Sequence, residues 1–99
     1  MKVQEIEELR ALCEELGETA IVARIDSFMR LNEGLETKKG KEFIEVSILG
    51  FAEGLLVSLK RKYPENEKIR KLLERVSERR AGLDEQFRRA KPPIFEGAE

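Results

Sequence analysis

Glu45 and Glu53 are the acids best placed for chemistry in this chain. They flank a seam of small side chains, Ser47, Gly50, Gly54 and Ser58, within the longest apolar run, FIEVSILGFAEGLLVSL at 43–59. Two carboxylates can act as acid and base or bind a cation. Eight residues apart on one helix, however, they stand about 12 Å apart by helical rise. That is too far for a paired-carboxylate glycosidase site within one chain. Both are expected at the less buried edge of the helix.

The rest of the inventory excludes more chemistry than it supplies. The 99 residues contain no histidine and one cysteine, Cys13. Ser-His and Cys-His nucleophilic systems are therefore out. So are histidine-ligated zinc, Glu-x-x-His di-iron sites, zinc fingers and iron–sulfur clusters. No Gly-rich phosphate loop is present; the two glycines of GFAEG at 50–54 lie inside a helical pattern, not after a strand. Cys13 falls on an apolar helix face and reads as a buried, inert thiol. The expectation is a protein that is not an enzyme, with no catalytic residues, no metal and no cofactor.

Charge is the second feature. The net charge is −1, but residues 1–36 hold nine acids and four bases while 37–99 hold eleven acids and fifteen bases. Such asymmetry suits an anionic partner for the C-terminal half, or attraction between the halves within or between chains. The candidate anion-binding residues are Lys38, Lys39, Lys41, Arg61, Lys68, Lys71, Arg75 and Arg79. Acids interleave among them and no aromatic residues alternate with them for base stacking. A solvated, ion-paired helix face is the plainer reading.

The positioning elements follow from periodicity. Ile44, Ile48, Phe51, Leu55 and Leu59 step by four, three, four and four residues, which is helical spacing. Leu49, Ala52 and Leu56 widen that stripe, so the helix belongs in the middle of a bundle or at a subunit interface. A first helix, about 3–16, carries Val3, Ile6, Leu9, Leu12, Cys13 and Leu16, with an acidic opposite face. Gly17 suits the position just past its end, and Thr19 can cap a second helix to about 32. One continuous helix through Gly17 is the alternative. Residues 32–40 read as a mobile loop. The central helix spans about 41–62. Pro64 suits the first turn of a last helix, about 65–90. The last helix's seam is Ile69, Leu73, Val76, Arg80, Leu83, Phe87 and Ala90, heptad-like and interrupted by Arg80. Arg80 is either solvent-exposed or paired with an acid across an interface or with an anionic ligand. Pro92 and Pro93 end the helix, and a tail, 91–99, follows. Ser77 falls on the charged side.

The fold expected is all-α: an antiparallel helical bundle of three to four helices in one domain, completed by oligomerisation. The glycines at 50 and 54 each cost about 1 kcal/mol relative to alanine within a helix. Close approach of another backbone would offset that cost. It could come from helix 1 or 2 of the same chain, from a two-fold subunit contact, or from a ligand on the exposed backbone. The run is too short and too acidic to cross a bilayer. A reducing, cytoplasmic setting fits the lone cysteine and an N-terminus without a signal pattern. Few Asn and Gln beside many Glu, Lys and Arg match the composition of heat-adapted proteins. The functional expectation is a small protein–protein interaction or regulatory module acting as a homo-oligomer, a dimer in the simplest case. Binding of a nucleic acid or nucleotide is the alternative.

Overall fold

A computed structural model describes residues 2–90, and side chains as far as 86. Among these residues the chain forms five helices and no strand: α1 Gln4–Glu15, α2 Thr19–Leu31, α3 Glu36–Lys39, α4 Lys41–Lys62 and α5 Glu67–Ala90. Phe87 lies in α5 but beyond the described side chains, and the tail is outside the described residues.

The core is built from α1, α4 and α5. Val3, Ile6, Leu9 and Cys13 of α1 and its N-cap meet Ile44, Ile48, Leu49, Ala52, Leu56 and Leu59 of α4, with Ile69 and Val76 of α5 closing the third side. Each fully buried aliphatic side chain there contributes about 1.5–3 kcal/mol. The α4–α5 packing is the most extensive in the fold. The α5 stripe centres on Ile69, Leu72 and Val76, while Leu73 and Leu83 are only half-buried. This shifts the expected seam toward Leu72, because α5 sits against both α1 and α4 and needs a broader apolar face than a two-helix seam. α2 packs mainly on α1 and buries only Ile25 fully. It reaches α4 through Phe28, whose ring stacks on Phe51 with centroids 4.0 Å apart.

Gly17 breaks the first two helices, as its φ of +76° requires. The Glu18 N–H donates to the Cys13 carbonyl at 2.8 Å and the Gly17 N–H to the Glu14 carbonyl at 3.1 Å. This double closure satisfies carbonyls that a helix end leaves open. A continuous helix is thereby excluded. Thr19 makes no capping bond; Glu18 is the N-cap residue. Asn66, not Pro64, caps α5: its Oδ1 accepts from the Ile69 N–H at 3.1 Å, so α5 begins at Glu67. The 32–40 segment contains the single turn of α3, which packs on α4.

Candidate functional site

No helix of the described residues is long and apolar enough to cross a membrane, and no group of three His, Cys, Asp or Glu residues could hold a metal. Burial raises the Cys13 thiol to about 11, with nearby Glu18 adding to the effect. A thiol held so far above neutrality is a poor nucleophile.

The acids and bases of the chain find each other across the helices. Arg79 of α5 donates to Glu5 of α1 and to Glu45 of α4, binding three helices at one guanidinium. Glu5 is 7% exposed, the most buried charged residue among those described. Arg80 donates to Glu53, whose other oxygen accepts from Ser77 Oγ at 2.5 Å. These bonds, Ser77 first, hold the Glu53 carboxyl below its ordinary range. Arg75 grips Glu8 at 2.8 and 3.1 Å, and Lys68 reaches Glu15 at 3.2 Å. At the other end Glu18 accepts from Tyr63 Oη at 2.5 Å and pairs with Lys62 at 2.6 Å.

Among the described residues, part of the charge asymmetry of the two halves is thus satisfied within the chain. Glu45 and Glu53 are half-buried beside the core stripe of α4. Their side chains are 15% and 25% exposed, and each receives an α5 arginine. Arg80 is likewise an intrachain ion-pair partner, and Ser77 is half-buried on Glu53 rather than facing water.

The basic candidates do not form one patch. Arg75, Arg79 and Lys68 are engaged by α1 acids. Lys38, Lys39 and Lys41 lie near the start of α4 and Arg61 near its end, roughly 30 Å away by helical rise. Lys68, Lys71 and Arg75 do come together, as one wall of a groove between α1 and α5 with a volume of about 380 Å³.

The small-residue seam has a definite environment. A Cβ at Gly50 would meet Arg80 Nε at 3.6 Å, whereas a Cβ at Gly54 would meet nothing within 4 Å. Ser58 is exposed as well. Among the described residues no helix crosses closely at Gly54. The outward stripe of α4 is Phe43, Ser47, Gly50, Gly54 and Val57, with Phe43 41% and Val57 39% exposed. Beside it, Phe28 and Phe51 with Leu31, 76% exposed, line a shallow cleft between α2 and α4.

Sequence periodicity missed Glu5, Glu8, Ser77 and the Glu18–Tyr63 contact. A glutamate at position 5, amid Val3, Ile6 and Leu9, was the one signal available.

The chain belongs to the family described as a protein of unknown function (DUF3216), which matches residues 6–97. It is also similar to a singleton protein, PF1176, from P. furiosus, known from its crystal structure. The two share 38% sequence identity over 84% of this chain and 90% of that one, with a TM-score of 0.77. No curated protein matches the chain.

Proposed function

We propose that this member of the DUF3216 family is a small non-enzymatic interaction module that works as a homodimer through the outward face of α4. The observation that carries the reading is Gly54. A glycine costs a helix about 1 kcal/mol, and among the described residues nothing lies within 4 Å of a Cβ at Gly54 to offset it. A second backbone crossing there would.

The order of side chains along the face supports a second copy as the partner. Phe43, Ser47, Gly50, Gly54 and Val57 read large, small, small, small, large, nearly symmetric about Gly50. A two-fold contact brings one patch onto itself. With the two α4 helices antiparallel, Phe43 of one copy faces Val57 of the other and Ser47 faces Gly54, so bulk meets bulk only at the ends. In a chain that is 39% charged, this strip carries no charged side chain. Arg80 lies against Gly50 at the middle of the strip, already paired with Glu53, which avoids bringing two bare cations together on a two-fold axis.

Light scattering coupled to size exclusion tests this. The dimer reading requires twice the 11.4 kDa chain mass at micromolar concentration.

A further inference from the structure

A different surface carries a second, independent reading. In the groove between α1 and α5 the two helices run antiparallel, and their charged residues form a ladder. Glu8 pairs with Arg75 at one rung and Glu15 with Lys68 at another. The register leaves Lys71 between these rungs, and there α1 offers Ala11 and Leu12 in place of an acid.

Among the described residues, Lys71 has no carboxylate within ion-pairing distance. Glu67, one turn before it, feels its charge, but the Glu67 carboxylate is held by Arg70 at 2.5 Å. Below Lys71 the floor is apolar: Leu12 and Leu72 are 7% and 5% exposed and Ala11 lines the wall. The groove is therefore closed at both ends by ion pairs, greasy beneath, and cationic at its centre. Its volume lies at the small end of the range for small-molecule sites.

We infer that this groove binds a small carboxylate with an apolar body, the carboxylate on Lys71 and the chain along Ala11, Leu12 and Leu72. A neutral apolar molecule would leave Lys71 as it is. A doubly charged anion lacking an apolar part would leave the leucine floor wet and face Glu8 and Glu15. One negative charge on a short hydrocarbon matches both halves of the site.

The test uses the full chain, 15N-labelled, titrated with sodium octanoate and separately with 1-octanol in low salt. Octanoate should shift amides confined to 8–15 and 68–75. It should bind roughly five-fold more tightly than octanol, the worth of one exposed ion pair. Lys71→Gln should reduce the octanoate affinity to that of octanol. Ala11→Glu should abolish the shifts by placing a carboxylate on Lys71 and completing the ladder, with a melting temperature equal to the parent's or higher. The inference is overturned if octanoate causes no shifts there, if octanol binds equally well, or if Ala11→Glu, still folded, binds octanoate as the parent does.

Discussion

Arg80 lies along the backbone of α4 at Gly50, with its Nε 3.6 Å from the place a Cβ on that glycine would occupy. That is ordinary van der Waals contact, so alanine fits without moving the guanidinium off Glu53. Gly50→Ala should stabilise the isolated chain by up to about 1 kcal/mol through helix propensity. Urea unfolding at the lowest workable protein concentration measures it. A larger residue, as in Gly50→Leu, should displace Arg80 and cost stability instead.

Arg79 is the charge on which three helices converge. Arg79→Met leaves Glu5 and Glu45 facing the core side of the interface with their main partner gone. Arg75, 3.8 Å from Glu5, compensates only in part. The expected loss is about 2–4 kcal/mol, toward the range for breaking a buried pair. Arg70→Met, which removes exposed pairs within one helix, should cost under about 1 kcal/mol. Restoring much of the loss with Glu5→Gln in the Arg79→Met background would show that the stranded carboxylate, not lost packing, is the cause.

Acid should unfold the protein and neutral pH should matter little. Arg75 lowers the Glu8 carboxyl, Lys62 and then Tyr63 lower Glu18, Arg10 lowers Asp26, and Ser77 and Arg80 lower Glu53. Each group is more acidic folded than unfolded, so its contribution is full above the unfolded value. It fades as pH falls below 4.5 for the glutamates and 3.8 for the aspartate. With no histidine, stability should be nearly flat from roughly pH 5.5 to 8. Denaturation midpoints at pH 7, 4.5 and 3 test the slope. Glu18→Gln should flatten it.

Much of this arrangement was legible in the residues and some was not. The helix break at Gly17 and the span of α4 were readable because a glycine past a helix end and an apolar run with period 3.6 each have a local cause. The α5 start was misplaced by two residues because the reading rested on Pro64, whereas the Asn66 side chain accepts from the Ile69 N–H and starts the helix at Glu67. The ion pairs were out of reach. Glu5 and Arg79 are 74 positions apart, and periodicity tells which face a residue occupies but not which face it meets. The same blindness left the small-residue seam with three readings, a crossing within the chain, a subunit contact or a ligand, and among the described residues nothing lies within 4 Å of a Cβ at Gly54.

Gly54 separates the fold from the assembly. Because nothing among the described residues lies within 4 Å of a Cβ there, Gly54→Leu should leave the isolated chain as stable as the parent or slightly more so. At a two-fold helix crossing the same leucine should cost about 1–3 kcal/mol of association by overpacking. Its melting temperature should also become less dependent on protein concentration than the parent's at the same concentrations, because a weakened dimer adds less to stability by mass action. Thermal melts across a hundredfold concentration range distinguish the two effects.

The most direct measurement is the mass of the unmodified chain in solution. Size exclusion with light scattering, run from about 1 to 100 μM, should show a species of twice 11.4 kDa that Gly54→Leu shifts toward 11.4 kDa. A parent chain that remains at 11.4 kDa throughout would contradict the α4 interface and leave Gly54 unexplained.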